Sequence, residues 1–295
     1  MSSARARTNR VLGLAPVWLL IGGLLLAPLL LVVAIAFTEQ GAYGGVDWTF
    51  SGAAFVSLLY NVDFDGTASV EWSYVQIFLT SAALAGATTA ICLLVGFPVA
   101  YFISRQPPSR RSVLMLLVAI PFWTDLLVRI YAWMIILGND GLIASALSAL
   151  GAGWLYRNIL FTPKAILLGM TYNYLPLMIL PLCSSLEKLD GRLIEAAADL
   201  YASRWSRMKD VIIPLTAPGI AAGCMLVFIP AVGDFVTPTI IGGGKTLLFG
   251  NLVALQFGSA HNWPFGAAIA VVMLLLIGCA GTLPLLIRRR LGRVA

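Results

Sequence analysis

The chain has 295 residues, 60% hydrophobic and only 11% charged, with a mean hydropathy of +0.92. A soluble domain carries about twice that charged fraction, so a soluble globular domain is excluded, and the same figures exclude intrinsic disorder, a collagen-like repeat and a disulfide scaffold. The formal net charge is +6, and where the charges sit says more than their sum.

About 20 residues of helix at roughly 1.5 Å rise cross a hydrocarbon core of about 30 Å. Uncharged runs at 11–38, 72–104, 165–186, 211–233 and 246–287, with a sixth at 112–139 interrupted only by Asp125 and Arg129, mark the spans. Trimmed at Pro, Gly and polar flanks, they predict helices near 14–37, 77–104, 112–137, 164–187, 217–240 and 265–287. The expected fold is therefore all-α: a polytopic membrane protein of six transmembrane helices. It forms one domain over 14–287, after a short N-terminus at 1–13 and before a basic tail at 288–295.

Lys and Arg are retained on the cytoplasmic side of membrane proteins. Of the 19 basic residues, 15 fall in the N-terminus (Arg5, Arg7, Arg10), the loop with Arg105, Arg110 and Arg111, the loop from Lys188 to Lys209, and the tail from Arg288. Both termini are expected in the cytoplasm. The first apolar segment carries basic residues before it and Ala34-Ile35-Ala36 near its end. It exceeds the roughly 7–15 residues of a signal-peptide core, so it reads as an uncleaved first helix.

The outer connection 38–76 holds Glu39, Asp47, Asp63, Asp65 and Glu71 and no Lys or Arg. Such a mouth concentrates cations and repels anions, although the retention of basic residues on the other side also depletes this one. Tyr43, Trp48, Phe55, Tyr60 and Trp72 offer the segment a compact fold or a surface for a partner.

In the third span Asp125 and Arg129 stand four residues apart and share one helix face. Two readings stand together: a self-compensating pair, and the lining of a polar pathway, since an ionisable group in a membrane normally faces protein or water. Phe122, Trp123, Tyr131 and Trp133 surround the pair, and aromatic faces either hold an organic cation or pack and anchor at the interface. Asp234 lies in Pro230-Ala231-Val232-Gly233-Asp234-Phe235-Val236-Thr237-Pro238. Loosened backbone is tolerated in a membrane where it borders a cavity or is buried. Asp234 is thus the best single cation-facing carboxylate, the alternative being a solvated residue of an outer loop.

Other features carry no chemistry. Cys92, Cys183, Cys224 and Cys279 lack ligand spacing and read as small packing residues inside spans. Gly244-Lys245-Thr246 imitates the end of a phosphate loop, but Thr239 stands where the pattern needs glycine. His261 is the sole histidine, which rules out a multi-histidine metal centre, and it reads as a hydrated loop residue. The last apolar run must contain a loop as well as a helix, with Gly242-Gly243-Gly244, Asn262 and Pro264 as breakers. No internal repeat of the kind found in many secondary transporters is evident.

The loop 188–216 contains Leu193-Ile194-Glu195-Ala196-Ala197-Ala198-Asp199-Leu200-Tyr201, a good helix-former with Ile194, Ala197 and Leu200/Tyr201 on one side. A short amphipathic helix there is either a surface-packed linker or a docking element. Glu195-Ala196-Ala197, followed at fixed spacing by Val211, Ile213 and Pro214, resembles the Glu-Ala-Ala loop of the permease subunits of bacterial ABC importers. Pro121 through Trp133, Gly233-Asp234-Phe235 and Asn262-Trp263-Pro264-Phe265-Gly266 are similar to segments of the spermidine/putrescine subfamily; relatives that carry opines or amino-acid-like solutes share them.

The resemblance implies a type I importer permease fold in the bacterial inner membrane, with no catalysis and no cofactor bound by this chain. It also implies a second permease subunit, an ATPase dimer that binds ATP and Mg, and an extracytoplasmic substrate-binding protein; no nucleic acid is involved. Glu195, Ala196, Ala197, Asp199, Leu200, Tyr201 and Pro214 would couple to the ATPase through a helix at about Leu193 to Tyr201. Asp125, Arg129, Asp234, Trp123, Tyr131 and Trp133 would line the substrate pathway. An ion-gradient-driven transporter is the rival of another class. One position departs from the family: its glycine falls at Tyr201. Either the helix runs on past Tyr201 or the turn is built differently, because the left-handed conformation is costly for Tyr.

Overall fold

A computed structural model describes residues 20–62, 68–151 and 159–291. The N-terminal stretch 1–13, Asp63, Asp65 and Arg157 therefore lie outside the described residues. Helix dominates, and the chain divides into two compact units, residues 1–74 with 252–295 and residues 75–251.

In the first unit the apolar helix α1 (Leu20–Ala36) leads into a hairpin of β1 (Thr38–Gln40) and β2 (Val46–Phe50). Gly44 and Gly45 turn the hairpin at φ 88° and 80°, where a side chain would be strained. Helix α2 (Ala53–Val56) and a second hairpin, β3 (Tyr60–Val62) with β4 (Ala68–Val70), follow. Tyr43, Trp48, Tyr60 and Trp72 of the outer connection are exposed, and only Phe55 among its expected packing aromatics joins the core of this unit. Its core is built on Ala36, Ala54 and, from α13 (Trp263–Leu291), Ala267 and Ala268, with Val32, Ile35, Phe55 and Val271 packed around them. Small residues let the helix backbones approach closely. His261, at φ 50°, accepts the Gly45 amide on its carbonyl at 2.8 Å and seats the hairpin turn.

The second unit contains α3 (Trp72–Ser104) from Val75 onward, α4 (Pro108–Trp123), α5 (Leu126–Ile136), α6 (Leu142–Ala149), α7 (Pro163–Glu187) and α8 (Gly191–Asp199). A continuous stretch then runs through α9 (Arg204–Ser206), a π-turn (Arg207–Ile212) and α10 (Ile213–Gly233), before the short α11 (Val236–Ile240). Helix α12 (Phe249–Phe257), most of which belongs to the first unit, occupies part of the expected last loop. Helices α7 and α10 form the central pair. Gly219 faces Ser185 and the Pro181 carbonyl, and Gly223 faces Met178. Around them pack Cys92, Ala100 and Ile103 of α3 with Leu182, Cys183 and Val227. Cys92 and Cys183 are packing residues, as their spacing indicated. Ser81, Thr88, Thr89, Thr171 and Thr216 return their hydroxyl protons to the carbonyl four residues back, at 2.7–2.9 Å, which satisfies them where no water is at hand.

Two expected spans are corrected. The helix predicted over 112–137 is broken, with α4 and α5 meeting at 89°. Thr124 and Asp125 between them are extended, at ψ 145° and 142°. The helix predicted over 217–240 stops at Gly233, because Asp234 is extended and starts α11. Three helices are long and apolar enough to cross a membrane, Trp72–Ser104, Pro163–Glu187 and Arg204–Gly233, and the bent pair makes a fourth candidate. Among the described residues, Leu20–Ala36 and Trp263–Cys279 are apolar but shorter.

Candidate functional site

Asp234 is buried, only 8% exposed, and every approach to its carboxylate is taken by a donor of this chain. Oδ1 accepts the amides of Val236 and Thr237 at 3.0 and 3.1 Å, so the side chain caps α11. Oδ2 accepts the Thr237 hydroxyl at 2.6 Å and the Tyr174 hydroxyl, from mid-α7, at 3.1 Å. The sequence marked Asp234 as cation-facing or solvated; its observed place is instead a buried hydrogen-bonded anchor. The polar partners Tyr174 and Thr237 were missed. Only the Asp-x-x-Thr spacing at 234–237 could have indicated a cap, and nothing in sequence ties Tyr174 to it.

Arg129 and Asp125 do not form the pair that one helix face predicts. Asp125 sits at the break before α5 and spends its Oδ1 on the Leu127 and Val128 amides at 2.8 and 3.4 Å. Arg129 points its guanidinium over the Phe122 ring, 5.8 Å from the centroid. Its Nε and Nη1 are buried with no hydrogen-bond partner. The structure brings Tyr174, Asp234 and Thr237 together where α7 meets α11, while α5, which carries Arg129, packs Ile130 and Leu137 against Ala165 of α7 and Ile241. Trp133 packs edge-on against Tyr172 at 5.4 Å. Trp123 and Tyr131 are 76% and 50% exposed and stand apart from that packing. Asn173, adjacent to Tyr174, is buried with both amide atoms unpartnered.

The loop expected to couple forms helix α8, whose N-cap Asp190 accepts the Arg192 amide at 3.0 Å. Its expected apolar stripe is divided. Ile194 is buried in the chain's own core with Ile103, Leu186 and Ile212, whereas Leu200 and Tyr201 are 81% and 98% exposed. Glu195, Ala196 and Asp199 are exposed as well, and Ala197 is half-buried. The helix ends at Asp199 and does not run on past Tyr201. Tyr201 takes φ 58°, and the Tyr201 and Ala202 amides donate to the Ala198 and Ala197 carbonyls at 3.0 and 3.1 Å. This is the hydrogen-bond pattern of a glycine-type C-cap, built here with tyrosine. Pro214 lies just after the π-turn. It has no N–H to bond the carbonyl four residues back, and the Ile213 amide reaches five residues back to Met208. An ion pair of Arg111 with Glu187 at 3.6 Å joins the start of α4 to the end of α7 beside this loop.

Comparison with known proteins places these features in a family. The spermidine/putrescine transport system permease protein PotB of Escherichia coli (strain K12) is 41% identical over 230 residues, 78% of this chain and 83% of that one. The protein of the same name from Haemophilus influenzae is 40% identical over 252 residues, 85% and 84% of the two chains. The molybdenum transport system permease protein ModB of Azotobacter vinelandii is 28% identical over 65% of this chain and 87% of its own. A solved bacterial ABC transporter involved in the import of the acidic polysaccharide alginate shares the fold, with a TM-score of 0.66 at 16% identity over 97% of this chain and 98% of that one. The family model for binding-protein-dependent transport system inner membrane components matches residues 93–293. The chain is a member of that family of membrane transport permeases.

Proposed function

We propose that the chain is the membrane-spanning permease subunit of an ATP-driven bacterial importer whose substrate is a polyamine of the spermidine/putrescine class. The observation that carries the substrate is the 41% identity, spread over most of both chains, to a spermidine/putrescine permease, against 28% to a molybdenum permease. The outer hairpin agrees with a cationic solute. Its register sets Glu39 opposite Asp47, both exposed, and like charges placed so are relieved by a cation.

In this reading the six apolar segments all span the inner membrane, with both termini cytoplasmic. A second permease subunit completes the pathway, a binding protein delivers substrate outside, and ATP with its Mg is bound and hydrolysed in an ATPase dimer seated on α8. Glu195, Ala196, Ala197, Asp199, Leu200, Tyr201 and Pro214 form the coupling region. The pathway runs past Arg129 and the Tyr174–Asp234 anchor, with Asp125, Trp123, Tyr131 and Trp133 on the elements that flank it. Asp234 serves the cation indirectly, by holding α11 in place as a wall of that pathway.

Uptake of labelled spermidine tests the reading in cells stripped of their own polyamine importers and given this chain with its partner permease, ATPase and binding protein. Accumulation should depend on ATP, respond to vanadate, and be competed by putrescine and not by molybdate. Uptake driven by an ion gradient without the ATPase would overturn it. Competition by opines or amino-acid-like compounds alone would overturn the polyamine assignment.

A further inference from the structure

Arg111 and Glu187 pair at 3.6 Å, with side chains 28% and 30% exposed, and the transport reading gives neither a role. Each stands at the wrong end of its helix. Arg111 is in the first turn of α4, where the helix N-terminus repels a cation, and Glu187 is the last residue of α7, where the C-terminus repels an anion. Neither end has a local remedy, since α4 carries no acid in its first turn and α7 no base in its last. Arg111 is costlier still: its Nε is buried with no hydrogen-bond partner, and its Nη2 reaches the Gln106 carbonyl only at 3.5 Å. A pair placed so does little for either helix by itself. What it does is join them.

The joint has a lever on each side. On the side of α7, only Lys188, Leu189 and Asp190 separate Glu187 from α8, and that short turn is tied down. The Leu189 amide donates to the Leu186 carbonyl at 3.2 Å, Asp190 caps α8, and Ile194 of α8 is buried in the same core as Leu186. Helix α8 and the last turn of α7 therefore move as one body. On the other side, Leu114, Met115 and Val118 of α4 pack on the core that holds Cys183 and Leu186 of α7. Helix α5 is seated separately, by Ile130 and Leu137 against Ala165 near the opposite end of α7 and against Ile241. Between the two seats Thr124 and Asp125 are extended, and the helices meet at 89°. A bent pair held at both ends of one helix absorbs a pull on either end at the break between them.

We propose that the Arg111–Glu187 pair carries the movement of α8 into the bent pair α4–α5, which makes both of them positioning residues of the transport cycle. The proposal rests on the reading of the chain as a permease seated on an ATPase and is independent of the substrate. Apolar contact alone lets α4 slide along α7, whereas a charge pair fixes the register at one point. Partial burial keeps that point less open to screening by salt than an exposed pair would be. The elements it moves carry Trp123, Asp125, Arg129, Tyr131 and Trp133, the residues that flank the proposed pathway.

Hydrogen exchange of the assembled transporter in nanodiscs, with and without ATP and vanadate, tests this without any substrate. In the unaltered protein, trapping should change the exchange of the Leu127 and Val128 amides, which Asp125 holds at the break. Glu187→Gln should cut that change about threefold, the ratio such an ion pair is worth, while vanadate still arrests ATP hydrolysis and so shows the ATPases seated and closing. The swap of Arg111→Glu with Glu187→Arg should restore the response, and the swapped permease should melt no lower than wild type because each charge then suits its helix end. No change on trapping in the unaltered protein, a full response in Glu187→Gln, or a swap that stays as weak as the single variant would each overturn the link. Lower melting of Glu187→Gln with its exchange response intact would make the pair a brace only, and would overturn it too. Glu195→Ala separates this from the reading beneath it. If that variant abolishes the response and Glu187→Gln does not, the link alone falls; if neither affects it, α8 is not the seat of the ATPase and both fall.

Discussion

The Tyr174 hydroxyl donates to the Asp234 carboxylate at 3.1 Å, tying the middle of α7 to the break between α10 and α11. Asp234 closes that break from inside by capping α11, and Tyr174 holds the cap against the neighbouring helix. Transport that moved α7 relative to α11 would have to stretch or re-make this one bond, which makes it a natural place to measure coupling between them.

Asp234→Asn is nearly isosteric and tests that bond. The amide keeps one oxygen for the Val236 and Thr237 amides but turns a donor toward the Thr237 and Tyr174 hydroxyls. A buried polar group left unpaired costs about 1–3 kcal/mol, so the purified permease should melt several degrees lower and spermidine uptake should fall. Adding Tyr174→Phe removes one of the opposed donors and should recover part of the lost stability, a non-additivity expected of groups in contact. A variant with wild-type melting and uptake would show that the network is idle.

Tyr201 is the residue where the chain departs from its family pattern, and it carries a glycine's backbone. Left-handed φ costs an L residue about 1–2 kcal/mol, and no packing holds the ring, which is 98% exposed. Tyr201→Gly relieves that strain while adding unfolded-state entropy of about 0.5–1 kcal/mol. Stability should therefore hold or rise slightly, whereas association with the ATPase should weaken, because the exposed ring is lost. Co-purification of the ATPase with the variant measures this; full recovery would remove Tyr201 from the docking surface.

The contrast between these two residues shows what the sequence could and could not carry. The membrane character and the short helix α8 were legible, since each depends on local composition or a period of three to four residues. Tyr174 and Asp234 were not, because their bond links helices far apart in sequence. The break at Thr124 and Asp125 was hidden for another reason. Hydropathy averages over 20 residues and passes smoothly across an extended dipeptide, and the very Asp125 that looked like an ion-pair partner was the N-cap of the second half. Tyr201 stands out in the sequence as the residue at the family glycine, but that it takes a left-handed φ and the helix ends at Asp199 depends on the amides of Tyr201 and Ala202 finding the Ala198 and Ala197 carbonyls.

Glu195 separates docking from folding. Its side chain is exposed on α8, whose seat in the chain is provided by Ile194. Glu195→Ala is helix-favouring and should leave membrane insertion and melting unchanged while abolishing ATPase-coupled uptake. Normal uptake by a normally inserted variant would sink the coupling role of this helix.

Gly219→Ala tests the central helix pair. An added Cβ would collide with the Ser185 side chain and stand 3.0 Å from the Pro181 carbonyl, and backbone cannot rotate aside. Overpacking of this kind costs about 1–3 kcal/mol, so the variant should melt lower than wild type. Gly86→Ala, whose Cβ would meet nothing within 4 Å, is the control and should stabilise α3 slightly by helix propensity. Equal melting of the two would mean that α7 and α10 are less closely packed than their glycines imply.

Arg129 poses the sharpest conflict between stability and function. Its Nε and Nη1 are buried without partners, and the carboxylate four residues earlier is engaged in capping α5. Desolvated guanidinium nitrogens without hydrogen-bond partners cost stability, and an apolar side chain of similar length removes that cost. Arg129→Met should therefore raise the melting temperature of the permease. A costly group is retained where it serves function, so the same substitution should lower spermidine uptake, and Arg129→Lys should restore charge without the planar stack on Phe122 and recover only part of the rate. The two readouts must move in opposite directions for the role to stand. If Arg129→Met gains stability and transports at the wild-type rate, the guanidinium is ballast and the pathway lies elsewhere; if it loses both, the Phe122 contact is what holds α4 to α5 across their 89° bend.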